Sequence, residues 1–161
     1  MLLQKVMSPL AKSVIEHEGF RQFMYHDSLG IKTVGVGFNL ERHDARHKLQ
    51  SVGADYDKIC EGKACLSIGQ VLQLLEETIQ EAEIIAKRLV PNLQWMSEPR
   101  QTALIDMAFN LGETRLKKFK KMLAALKEED FELAAVEAQD SLWFTQVKSR
   151  GRKIVRMIRE G

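Results

Sequence analysis

The apolar positions of this chain switch period along its length, and the switches mark its elements. Leu10, Val14 and Ile15 recur at helical spacing. Ser8 reads as the N-cap of that helix, Pro9 as its first residue, and Gly19 after Glu18 as a left-handed stop. From Phe20 to Leu40 the helical spacing is lost. Asp27 and Gly30 suit the first and fourth positions of a type I turn. Ile31–Phe38 alternates and is rich in β-branched residues, which predicts a strand. Gly35 and Gly37 are expected to leave nearly bare the strand face that also carries Ile31 and Thr33. Residues 20–40 read as a small antiparallel hairpin or meander.

Beyond Leu40 the pattern is helical. Asp44 to Val52 predicts a short helix stopped by Gly53. Ser67 is expected to cap a long helix whose apolar stripe includes Val71, Leu74, Leu75, Ala82, Ala86 and Leu89, with Pro91 as its stop. Pro99 opens another helix, through Ala103, Leu104, Met107, Ala108 and Leu111 to a stop at Gly112. Shorter helices are expected over 115–126, 130–139 and 148–159. The fold class is α+β, a single domain of two lobes spanning residues 1–161. A small α+β lobe covers about 20–66, a connecting helix about 67–90 and a helical lobe about 91–161, with helix 8–18 packing on the helical lobe.

Composition narrows the function classes. The chain has 161 residues, 45% hydrophobic and 29% charged, which fits a globular domain and excludes disorder. No apolar run reaches about 18 residues, so a membrane-spanning helix is excluded. With 24 basic and 22 acidic residues the net charge is +2, too even to mark a nucleic-acid binder. Cys60 and Cys65 read as free thiols, with a small Cys60–Cys65 loop after export as the alternative. The segment Met1 to Met7 lacks a basic stretch followed by about 7–15 apolar residues, so no secretory signal is expected.

The most informative chemistry lies between Glu18 and Phe38. Glu18 falls at a helix C-terminus, where the dipole disfavours negative charge. A general acid gains from a place that resists ionisation. Asp27 sits in the following turn, where its ordinary role is to close the turn through its own side chain. Thr33 has the ordinary reading of a strand-forming residue, and the functional one of a hydroxyl able to order water. Two carboxylates and a hydroxyl meet the requirement for glycoside hydrolysis, in which one carboxyl protonates the leaving oxygen and the other activates water or attacks the sugar.

Three blocks then carry a resemblance. His17-Glu18-Gly19, Tyr25-His26-Asp27-Ser28-Leu29-Gly30 and Thr33-Val34-Gly35-Val36-Gly37 form the first. Arg100 to Thr114, containing Phe109-Asn110-Leu111-Gly112, forms the second. Asp140-Ser141-Leu142-Trp143-Phe144, followed by basic residues around Arg150, forms the third. In this order they resemble the phage-type lysozymes, the endolysin muramidases typified by the lysozyme of T-even bacteriophages. The resemblance implies a lysozyme-like fold. It also implies hydrolysis of the β-1,4 bond between N-acetylmuramic acid and N-acetylglucosamine in bacterial peptidoglycan, for cell lysis. Inversion is expected, which needs the carboxyls about 6.5–9.5 Å apart. By position, Glu18 matches the proton donor, Asp27 the second carboxylate and Thr33 the hydroxyl that helps place the water. Arg150 matches an arginine that pairs with the catalytic glutamate, orienting it while also favouring its ionised form. Asn39, Phe109 and Asn110 match substrate-contacting positions, Phe109 being equally readable as core on its apolar helical stripe. Trp143 matches a packing residue. Phe38 stands where many relatives carry a histidine paired to an acidic residue, so that pair is not expected here. Residues 40–67 diverge from the T-even type and look closer to lysozyme-like proteins of bacterial prophages.

The resemblance implies no cofactor and no metal. Peptidoglycan is the expected partner, with no nucleic acid and no stable membrane association, and a monomer is expected. The protein would accumulate in the cytoplasm of its bacterial host and reach the wall through a separate pore or secretion route. Two rival readings come from other residues. His43 and His47 stand at i, i+4 with Asp44 between them, which resembles the spacing of a zinc-peptidase helix. The basic clusters Arg115, Lys117, Lys118, Lys120, Lys121 and Lys148, Arg150, Arg152, Lys153, Arg156, Arg159 fit a non-catalytic helical binding module. They fit equally solvated helix faces, or attraction to a polyanionic wall.

Overall fold

The computed structural model describes residues 7–161, so the segment read as lacking an export signal lies, but for Met7, outside the described residues. The chain forms two compact units, one ending at Thr78 and one running from Ile79 to Gly161.

In the first unit, α1 (Pro9–Glu18) starts where the Ser8 hydroxyl oxygen accepts the Ala11 N–H at 3.1 Å. It ends at Gly19, whose φ of 81° turns the chain out of the helix. Strands β1 (Arg21–His26), β2 (Lys32–Gly35) and β3 (Phe38–Asn39) follow as an antiparallel sheet in that order. The turn expected at 27–30 forms, with the Gly30 N–H donating to the Asp27 carbonyl at 2.9 Å. The single strand expected over Ile31–Phe38 does not. Gly35 and Gly37 adopt φ of 66° and 62°, and the chain reverses there to start β3. Positive φ ends an extended run, and glycine adopts it at little steric cost. Gly35 is therefore the last residue of β2 and Gly37 a turn residue, and the two do not form a bare strand face.

The outer edge of β1 is closed from within the unit. Leu66 donates its N–H to the Gln22 carbonyl at 2.9 Å, and the Gln22 side-chain amide donates to the Leu66 carbonyl at 2.9 Å. Helix α2 (Ala45–Ser51) forms where Asp44 to Val52 predicts it, and α3 (Tyr56–Cys60), too short for an apolar period to announce, packs against it. The Tyr56 hydroxyl donates to the Leu40 carbonyl at 2.7 Å. Val34, Phe38, Leu40, Leu49, Ile59, Leu66 and Val71 are buried, which is where the small unit gets its core. Cys60 is half-buried and Cys65 exposed, both as free thiols.

Helix α4 (Ile68–Leu89) begins in the first unit and ends in the second. Ser67 caps it as expected. Its hydroxyl accepts the Gln70 N–H at 3.1 Å while Gln70 Oε1 accepts the Ser67 N–H at 2.9 Å, a reciprocal capping box.

The second unit is helical. A short 3-10 turn (Leu93–Trp95) leads to α5 (Glu98–Leu116), α6 (Lys120–Lys127), α7 (Phe131–Gln139), α8 (Leu142–Val147) and α9 (Ser149–Glu160). Gly112, with φ 71° and ψ 170°, breaks the helical run where a stop is expected, and a short helical segment follows it to Leu116. Residues 115 and 116 fall in that short segment, and the remainder of the helix expected over 115–126 runs from Lys120 to Lys127. Arg100 clasps this unit together. Its guanidinium donates to the Ile158 and Arg159 carbonyls at 2.9 and 3.1 Å and lies 3.6 Å from the Phe131 ring centroid. No helix among the described residues is long and apolar enough to cross a membrane.

Candidate functional site

In the first unit the candidate residues come from a helix end, a turn and a strand. Glu18 is the last residue of α1 and is half-buried. Its carboxylate lies against the β2–β3 turn. A Cβ built on Gly37 would stand 2.8 Å from Glu18 Oε2 and 3.0 Å from its Cδ. Gly37 thus meets two demands at once, a left-handed φ and the space taken by the Glu18 carboxylate.

Asp27 closes the β1–β2 turn as its ordinary role requires. Its Oδ1 accepts the Leu29 N–H at 2.8 Å and the Ile31 N–H at 2.9 Å. Neither bond uses Oδ2, so the turn fixes the direction of the carboxylate without consuming both oxygens. Thr33 is buried in β2, and its hydroxyl donates to the Ile31 carbonyl at 2.9 Å. It stands opposite Tyr25 on β1 and opposite Asn39 on β3. Asn39 Oδ1 accepts the Glu41 N–H at 2.7 Å, so part of its side chain is committed to the local turn.

Tyr25 is the member of this group that the sequence reading left as part of a turn motif. Its phenol is held above its ordinary value, first by burial, then by the Glu18 charge and, more weakly, the Asp27 charge, with Arg21 opposing. Both carboxylates therefore act on one phenol.

In the second unit, Arg150 is buried on α9 beside the fully buried Asp106 of α5. Its Nε and Nη2 donate to Asp106 Oδ1 at 3.0 and 2.6 Å. The sequence does carry a signal for Asp106, a carboxylate inside the apolar run from Thr102 to Ala108. Phe109 and Asn110 are half-buried one turn further on, before the Gly112 kink. Asn110 Oδ1 accepts the Trp143 indole N–H at 3.0 Å. Trp143 is buried and meets Phe119 edge to face, which agrees with packing as its role. Arg115, Lys118, Lys120 and Lys121 help line a cavity of about 570 Å³ that also touches Phe119 and Trp143.

The zinc reading does not hold. Helix α2 begins at Ala45, so His43 precedes it and the two histidines do not share a helix face. Asp44, in the place of a general base, is bound by Arg42 at 2.8 Å through both carboxylate oxygens. Among the described residues no group of three His, Cys, Asp or Glu side chains is placed to hold a metal ion.

Comparisons with known proteins bear on the whole chain. The profile of the family described as Phage lysozyme matches residues 15–158. The "Probable T4-type lysozyme 2" of Dictyostelium discoideum is 25% identical over 175 residues, covering 97% of this chain and 96% of that protein. The "Probable T4-type lysozyme 1" of the same organism is 23% identical, with 89% of each chain covered. The "Pre-baseplate central spike protein Gp5" of Enterobacteria phage T4 is 28% identical over 94% of this chain, which spans only 28% of that protein's length.

Proposed function

The chain belongs to the phage lysozyme family, a family of glycoside hydrolases, and on that premise we propose that it is a peptidoglycan muramidase. In this reading it cleaves the β-1,4 bond between N-acetylmuramic acid and N-acetylglucosamine. Glu18 protonates the glycosidic oxygen. A water directed by Asp27 and Thr33 attacks the anomeric carbon from the opposite face, and the product has inverted configuration. The Asp27 charge also stabilises the positive charge that develops on the sugar. Asn39, Phe109 and Asn110 contact the glycan, and Arg150 orients the acid.

The observation that carries the reading is the first unit's arrangement of acid, turn and strand. Glu18 leans on a turn that only glycine fits, Asp27 is aimed by two backbone N–H groups, and both charges reach the same phenol. The Arg150–Asp106 pair gives the proposed orienting arginine a fixed base, since two of its N–H groups are tied to one buried oxygen.

We further propose lysis of bacteria as the biological outcome, from an enzyme held in the host cytoplasm until it is released to the wall. Proton NMR of the first product formed from soluble glycan strands tests the mechanism. Inversion predicts that the α-anomer appears first and then equilibrates. A β-anomer formed first would replace the water mechanism by a covalent one. Asp27→Asn is expected to lower the rate by at least about 100-fold, given what acid–base groups contribute.

A further inference from the structure

The register of the small sheet brings a third residue to the site. Tyr25, Thr33 and Asn39 are directly opposite one another across β1, β2 and β3. Residues paired in this way present their side chains on the same face of an antiparallel sheet. Two of these positions are already assigned to water placement and substrate contact under the muramidase reading. The third is a phenol.

The environment of Tyr25 is unusual for a residue with only a packing role. It is half-buried rather than enclosed. The Arg21 guanidinium lies 4.5 Å from its ring centroid, a cation–π contact that fixes the ring plane from one side. Among the described residues its hydroxyl makes no protein hydrogen bond, whereas the hydroxyl of its neighbour Thr33 donates to the Ile31 carbonyl. A phenol that is fully enclosed normally finds a protein partner for its O–H, whereas a half-buried one can present it outward. Among the described residues nothing else takes this O–H, which leaves it open to solvent or a bound ligand, on a ring that the Glu18 and Asp27 charges both reach.

We propose that Tyr25 is a further substrate-contacting residue of this site, its neutral phenol O–H donating a hydrogen bond to an oxygen of the saccharide unit whose glycosidic bond breaks. The proposal rests on the muramidase reading and adds a residue to it. The choice of group has a physical reason. A lysine between two carboxylates would neutralise the negative field that stabilises positive charge on the sugar. A third carboxylate would drive one of the existing two to hold a proton. A phenol kept neutral supplies a donor without altering the charge of the site. The burial and the two carboxylates keep it in that neutral form well above working pH.

Tyr25→Phe tests this, because it removes the hydroxyl and keeps the ring under Arg21. Rates are measured on soluble, uncross-linked glycan strands beside the melting temperature, with Glu18→Gln as a parallel variant. The proposal expects kcat/KM to fall about tenfold, the worth of one hydrogen bond to substrate, with no change in melting temperature. It also expects Glu18→Gln combined with Tyr25→Phe to bind an N-acetylglucosamine oligomer more weakly than Glu18→Gln alone. Wild-type rates in Tyr25→Phe would overturn the proposal while leaving the muramidase reading intact, provided Glu18→Gln is inactive. A fall in rate that merely follows a lower melting temperature would also overturn it, making Tyr25 a packing residue. If the wild-type protein cleaves no glycan, the muramidase reading falls and Tyr25 with it.

Discussion

Gly37 illustrates how tightly single residues are constrained near Glu18. Adding one methyl group would strain a backbone at φ 62° and press on the Glu18 carboxylate. Gly62 has a similar φ of 71°, but a Cβ there meets nothing within 4 Å. The conformational cost of alanine is similar at the two positions, about 1–2 kcal/mol. Gly37→Ala is therefore expected to lose far more activity than Gly62→Ala at comparable stability, as paired melting and rate measurements would show. Asp106 makes a second prediction at this scale. Asp106→Ala strands a buried guanidinium and should cost about 3–5 kcal/mol in denaturant unfolding. Asp106→Asn keeps an acceptor oxygen and should cost less. Equal and small losses in both variants would show that the pair holds neither Arg150 nor the fold.

Among the elements, the entry to α4 carries the clearest prediction. Ser67→Ala removes a hydroxyl that accepts the Gln70 N–H, and loss of such a cap costs about 1 kcal/mol. Gln70→Ala breaks the other half of the box and also the bond from its amide to the Val52 carbonyl. It should destabilise at least as much. The surface ion pairs between and within elements give a pH signature. Arg42 lowers Asp44, Arg46 lowers Asp57, and Lys117 with Arg88 lowers Glu113. Depressed carboxylates contribute stability that is complete above their ordinary values, about 3.9–4.3. It is lost as pH falls through the depressed ones. Thermal melting should therefore decline gently below about pH 4. A variant carrying Asp44→Asn, Asp57→Asn and Glu113→Gln should show a flatter acid limb.

Most of these elements were legible in the chain. Caps and stops such as Ser8, Gly19, Ser67 and Pro91 act through local geometry, so sequence alone places them within a residue or two. The errors fall where a residue's meaning depends on its neighbours in space. Gly37 sits in a β-branched run and reads as a continuation of the strand until the left-handed φ angles at Gly35 and Gly37 are known. Helices α3 and α8 are too short to show a period. At the candidate site, Glu18, Asp27 and Thr33 are proposed through family resemblance more than through spacing. The place of Tyr25 beside Thr33 and the pairing of Asp106 with Arg150 needed the structure, because a strand register and a buried ion pair are not local properties of a sequence.

At the scale of the whole molecule, a nearly balanced charge coexists with local basic clusters. Lys118, Lys120 and Lys121 are close in sequence and help line one cavity of the second unit. If they draw the enzyme to a polyanionic wall, replacing all three by Glu should slow digestion of intact walls more than that of short neutral glycans. Salt near 1 M, where the Debye length is about 3 Å, should shrink the difference. The central claim concerns the bond that is cut. The direct measurement is to digest purified peptidoglycan with the wild-type protein and with Glu18→Gln, then identify released fragments by mass and by their new reducing ends. The account predicts disaccharide-peptides ending in N-acetylmuramic acid, undiminished by a chelator and absent with the folded variant. Fragments opened at peptide bonds, or equal release by both proteins, would contradict it.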